Sequence, residues 1–254
     1  MTFDLSKLPK DLQPVIQSAI EERNDVIAQS MAETRKLIKS HLEEIADALG
    51  TGKFEETEEL LILMDSVKNK IATGLDDIIK AGTLRTSIAA VGVGAATLET
   101  FLDEQGKPSS YVRPLFLDRA AKFASRLAEE TVRQYAPGTK WKLSDRIWDI
   151  SGNNIEDIQR ILQAGEGTDA VKLSKSLRKY IREGRESFAD AYPNMMDRME
   201  GRLAKTTSYE ALRVCRTELS DAYWAGAIEG YKDNDAIVGV KVILSNNRGM
   251  QEED

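Results

Sequence analysis

The sequence predicts a mainly α protein: a long N-terminal helical bundle or arm, then shorter helices, then a single C-terminal β-strand in a small α+β module. Three observations carry this. Charged residues make up 30% of the 254 and aromatics only 6%, a balance that suits long helices laced with solvent. Apolar residues recur at spacings of three, four and seven through most of the first 135 positions, the period of a helix with one buried face. One late run instead alternates with a period of two. Val238, Val240, Val242 and Leu244 interleave with Ile237, Gly239, Lys241 and Ile243, as a β-strand covered on both faces does.

Taken in order, the first helix is expected over 11–49. Leu12, Ile16, Ile20, Ile27, Met31, Ile38, Leu42, Ile45 and Leu49 form its stripe, Asp11 is its expected N-cap, and Pro14 falls in the first turn, where a missing N–H costs little. Gly50-Thr51-Gly52 ends it. A second helix is expected over 54–80, broken by Gly82, and a third over 84–102. The third is almost free of charge between Ser87 and Leu98, so it belongs between other helices. Residues 103–110 read as a loop and 114–135 as a fourth helix. Ala136-Pro137-Gly138-Thr139 is a turn. Ser144 is then expected to cap a short helix with Ile147 and Trp148, and 154–164 another with Ile155, Ile158, Ile161 and Leu162. Gly165-Glu166-Gly167 turns the chain, Thr168 caps a helix to about 181, and Ser208 starts the penultimate element. A boundary near 136–142 divides the chain into 1–135, with long helices, and 136–254, with short elements and frequent turns.

Net charge is −7, so attraction of the whole molecule to nucleic acid or an anionic membrane is not expected. The apolar run 88–98, interrupted by Gly92 and Gly94, is far short of the ~20 residues that a membrane span needs. Cys215 is the only cysteine, which excludes an intramolecular disulfide and points to a reducing compartment. His41 is the only histidine and lies mid-helix, where it reads as structural or exposed. One Cys and one His cannot form the usual Cys/His zinc site, and no metal or cofactor is expected. The carboxylate pairs Glu55-Glu56, Glu58-Glu59 and Asp76-Asp77 read as solvated faces. Gly92 and Gly94 lack the preceding strand and third glycine of a dinucleotide fingerprint, so helix packing is their expected role.

Two segments invite more. Lys172, Lys175, Arg178, Lys179, Arg182 and Arg185 concentrate positive charge on one helix. The plain reading is an amphipathic helix with a soluble face. The functional one is a patch for DNA phosphates or an acidic partner, independent of base sequence. Arg213, Arg216 and Glu218 fall within two turns of another helix, where a buried ion network or an anion site is chemically open to them. The strand after it, centred on Val238, Val240 and Val242, has no evident partner in the chain. Its unpaired backbone groups call for another strand, from further chain or by β-augmentation.

Three blocks together resemble the phage minor head protein, or head-morphogenesis, family that includes the Mu F-like group. They are Leu143-Ser144-Asp145-Arg146-Ile147-Trp148 ahead of an Ile-rich helix; Leu177-Arg178-Lys179-Tyr180-Ile181; and Arg213-Val214-Cys215-Arg216-Thr217-Glu218 followed by Ala222, Gly226, Gly230-Tyr231 and the strand. They span roughly 115–245. The resemblance implies a non-enzymatic virion component, made in the host bacterial cytoplasm and placed inside the head. Its implied partners are the portal protein, with scaffold or major capsid protein and sequence-independent DNA contact alongside, and its role lies in head assembly and in DNA packaging or ejection. In this family Arg213, Arg216, Thr217 and Glu218 would be a structural network. Many members carry a Cys-x-x-Cys metal knuckle after the strand; this sequence reaches Asp254 without that pair, which suggests a truncated or short member and argues against a metal here. Two other classes remain open: a helical adaptor unrelated to heads, and a transferase whose Arg and Glu side chains hold a nucleotide.

Overall fold

The computed structural model describes residues 10–51, 57–129 and 141–232, and among these the chain is helical, with seven helices. The expected strand at 237–244, with Val238, Val240 and Val242, lies outside the described residues, as does the 136–139 turn. No helix in the described part is long and apolar enough to cross a membrane.

Helix α1 (Gln13–Gly50) and helix α2 (Thr57–Glu104) form an antiparallel hairpin. Its direction is set by Lys70 on Glu44 at one end and by Arg85 on Gln29 and Glu22 at the other. Asp11 does not cap α1: the N-cap is Leu12, with no side-chain cap bond, while Pro14 sits in the first turn as expected. The break expected at Gly82 is absent, and α2 runs unbroken for 48 residues. A helical glycine costs only ~1 kcal/mol against alanine. Here the bare backbone lets Leu219 and Ser30 approach to where a Cβ would stand, 2.6 Å from the Leu219 side chain. Packing from both sides outweighs the local propensity.

Helix α3 (Val112–Glu129) folds back on the distal half of α2. The turn is set by Gly106 at φ 67°, with the Lys107 N–H reaching the Leu102 carbonyl at 2.9 Å, and the pair closes over Val91, Ala95, Leu102, Val112, Phe116 and Ala120. Helix α4 (Leu143–Ala164) is one element where two were expected. Its buried stripe of Leu143, Ile147, Ile150, Ile155, Ile158 and Ile161 continues straight through Gly152. Its start is Lys142, whose N–H donates to Asp145 Oδ2 at 2.9 Å, rather than Ser144.

Helix α5 (Ala170–Ala191) is capped by Asp169, one residue later than expected. It is followed by the short α6 (Pro193–Arg198) and then by α7 (Tyr209–Tyr231). Helix α7 lies along α2 in the same direction. Gly226 packs on Ser87 and Ala90, and Gly230 on Val91, while a Cβ at Gly94 would stand 2.3 Å from the Gly230 carbonyl oxygen. Gly94 thus has the packing role expected of it; Gly92 faces open space.

The main core runs from Val26, Ile38 and Ile71 of the hairpin through Ile147, Ile158, Tyr180 and Phe188 to Val214 and Leu219. Residues from both sides of 136–142 contribute to this core.

Candidate functional site

The basic helix is divided by its neighbours. On α5, Arg178 pairs with Asp47 at 2.6 Å and Arg182 with Glu43 at 2.8 Å, one turn apart on both helices, which rivets α5 to α1. Lys179 pairs with Glu183 on its own helix at 2.5 Å, and this bond holds the Glu183 carboxyl below its usual range. Arg185 turns inward to the Leu203 carbonyl. Four of the six cations are thus engaged within the fold. Lys172 and Lys175 are exposed, with no ion partner among the described residues, and both line a cleft of about 350 Å³ with Ser176, Tyr192, Asn194 and Met195.

That cleft exists because α5 doubles back. In a straight helix Lys172 and Tyr192 would stand about 30 Å apart. Gly184, at φ 85° and ψ −172°, breaks the helix. The far segment returns until the Arg198 guanidinium donates to the Ala164 carbonyl at 2.8 Å and Met195 packs against Gly165.

Arg213, Arg216 and Glu218 do not share one face of α7. At 100° per residue, Glu218 points about 140° away from Arg213 and about 160° away from Arg216. Glu218 is buried, whereas Arg213, Arg216 and Thr217 are exposed. The two arginines instead share an outer face with Tyr209, Trp224 and Ile228, each at least 40% exposed.

Two polar clusters were not anticipated. Arg146, in the first family-like block, pairs with Asp149 of its own helix and with Glu210 of α7 at 3.2 Å, and Asn153 approaches the same Glu210 oxygen. Deeper in, Asp157 Oδ1 accepts from Arg160 at 2.8 Å. Its Oδ2 accepts from the Tyr180 hydroxyl at 2.7 Å and the Ala204 N–H at 3.1 Å. Burial, reinforced by the Asp157 charge, pushes the Tyr180 phenol far up. The signal was present: Asp157 occupies a core register between Asn154 and Ile161 on the buried stripe of α4.

No family model, characterised protein or solved structure matches this chain. His41 Nδ1 lies 2.6 Å from Glu44, which also holds Lys70, an arrangement that bridges α1 and α2. Asp76 is paired with Lys80 at 2.8 Å. Among the described residues no three His, Cys, Asp or Glu side chains gather as a metal would require.

Cys215 is buried between α7 and α1, and burial pushes its thiol up to about 11, with the neighbouring Thr34 hydroxyl opposing this and the Glu33 charge adding to it. The folded state therefore holds the thiol proton more tightly than the unfolded chain. That contribution to stability is complete below an unfolded pKa of roughly 8.5 and is lost as pH rises through the folded value of about 11. A urea midpoint measured at pH 10.5 should fall below that at pH 8, by less in Cys215→Ala than in the parent chain. A thiol reagent at pH 8 should label Cys215 only after unfolding; rapid stoichiometric labelling of the native protein would contradict its burial.

Proposed function

We propose that the chain is a phage minor head protein, placed inside the head and associated with the portal, acting without catalysis in head assembly and in DNA packaging or ejection. One observation supports this reading beyond the sequence resemblance: the three family-like blocks pack as one unit. Leu143 and Ile147 of the first, Leu177, Tyr180 and Ile181 of the second, and Val214 and Cys215 of the third share one core, and Arg146 reaches across to Glu210, three residues ahead of the third block. The glycines of the third block also have a physical reason, since Gly226 and Gly230 seat α7 against the backbone of α2. The exposed residues of the same block, Arg213, Arg216 and Thr217 beside Tyr209 and Trp224, form the outer face that this reading assigns to a partner. Arginine and aromatic side chains are the types enriched at interface hot spots.

The test is copurification with portal subunits of the same phage and with assembled heads. The full chain should cosediment with procapsids, and the Arg213→Glu/Arg216→Glu variant should associate several-fold less while melting unchanged. A chain that remains free in the lysate of phage-producing cells and is missing from purified heads would end the proposal.

A further inference from the structure

We propose that the cleft between the start of α5 and the α5–α6 junction binds one nucleotide unit, with Lys172 and Lys175 on its phosphate. Four features point to this chemistry. The two lysines, three residues apart on the 170–183 part of α5, are neighbours on one helix face, and they are the two exposed cations of the basic segment with no ion partner among the described residues, Arg185 being turned inward to a backbone carbonyl. The chain as a whole is acidic, at −7, yet no Asp or Glu lines this cleft. The nearby Asp169 accepts the N–H of Val171 at 2.8 Å as the helix cap and does not line the cleft. From the α5–α6 junction Tyr192, Pro193, Asn194 and Met195 line the same cleft. The Tyr192 ring is backed by Phe188 at 5.3 Å, which holds it in place from behind.

A pair of ammonium groups facing a rigid aromatic and apolar wall suits a phosphate ester that carries a planar base. Single-stranded nucleic acid is held in this way, by cations on the backbone and stacking on aromatics, without reading sequence. At about 350 Å³ the cleft has room for one unit rather than a duplex. The ligand has two sources, a free mononucleotide or one unit of a DNA strand. The DNA source rests on the minor-head reading; the cleft chemistry does not.

The test uses the full chain with three probes at about 0.1 M salt: a 5′-labelled thymidine oligomer followed by anisotropy, thymidine monophosphate, and the uncharged nucleoside thymidine, the last two followed by calorimetry. The wild-type chain should bind the oligomer. The Lys172→Ala/Lys175→Ala variant should bind it about tenfold or more weakly, with the slope of log K against log salt flatter by about 0.7, the value for one neutralised phosphate on a single strand. Its melting temperature should not move, since both side chains are exposed and unpaired. Binding of thymidine monophosphate that depends on the same lysines, with none of thymidine, would identify the free nucleotide as the ligand. Binding of the oligomer alone would identify the strand. Either supports the cleft. No binding of any probe, an unchanged double variant, or an equal loss in Arg213→Ala/Arg216→Ala would overturn it. The lysine variant should keep its portal association, so failure here and failure of the head assignment read out separately.

Discussion

Replacing Gly184 with alanine is expected to destabilise the protein by about 3 kcal/mol, combining left-handed backbone strain with a damaged hydrogen bond. At φ 85° and ψ −172° the residue sits where L side chains are rarely found. A Cβ there would also stand 2.7 Å from the Lys205 carbonyl oxygen. That oxygen accepts the N–H of Arg185 at 2.9 Å, so it cannot move aside without giving up the bond that fixes the reversal. For a chain of this size, 3 kcal/mol is roughly a 6–12 °C fall in Tm. Gly92→Ala is the matched control. It is mid-helix with open space around it, and should stabilise by about 0.5–1 kcal/mol through helix propensity. The Gly184 variant should also lose oligomer binding, because the reversal is what brings Tyr192 beside Lys172. A Gly184→Ala chain that melts within 2 °C of the parent, by the scale just given, would show that the reversal relaxes freely.

The same junction shows what could and could not be read ahead. The stripes of α1 and α4 were legible because their apolar residues keep a helical period, and the core residues Ile38, Leu42, Ile45, Ile147, Ile158 and Ile161 fall on them; α3 instead buries Val112, Phe116, Ala120 and Ala124 and leaves Leu115 and Leu117 exposed. The glycines were not. Gly82 and Gly152 look like breaks in one dimension, yet each lies inside a continuous helix, because the partner that rewards a bare backbone lies more than a hundred residues away at Leu219 in the first case. The helix expected to end near 181 does break close by, at Gly184, but nothing in the sequence signals that the chain reverses there. The concentration of positive charge in 172–185 is plain in the sequence, but sequence spacing cannot tell which cations face carboxylates. Asp47 and Glu43, which remove Arg178 and Arg182 from the patch, are about 130 and 140 positions away. Arg213, Arg216 and Glu218 are close in sequence, yet the burial pattern of α7 follows the helical angle and sets Glu218 inside and the two arginines outside.

Asp157→Ala should cost about 3–4 kcal/mol, since it strands buried polar groups that each carry a penalty of roughly 1–3 kcal/mol. The carboxylate is 5% exposed and accepts three donors, from Arg160, Tyr180 and the Ala204 backbone. Arg160 keeps a second partner in Glu156 at 3.1 Å and is partly solvated, so its loss is small. The Tyr180 hydroxyl retains only a 3.3 Å approach to the Ala204 carbonyl, and the Ala204 N–H retains nothing of similar quality. These two groups dominate the cost. Tyr180→Phe removes one donor and leaves the carboxylate with two, so it should cost about 1–1.5 kcal/mol. Asp157→Asn keeps an acceptor but turns an amide NH2 toward groups that are themselves donors, and should fall between the other two. The order Ala, then Asn, then Phe is the test, measured by urea unfolding at pH 7. Equal costs for Asp157→Ala and Tyr180→Phe would mean that Asp157 serves Tyr180 alone, and that the 199–208 segment is held against α5 by the Arg185–Lys205 backbone bond without it. The Asp157→Ala/Gly184→Ala double variant separates these anchors. Both grip adjacent residues of one segment, so the second loss should be smaller than the first, with a coupling of about 0.5–3 kcal/mol.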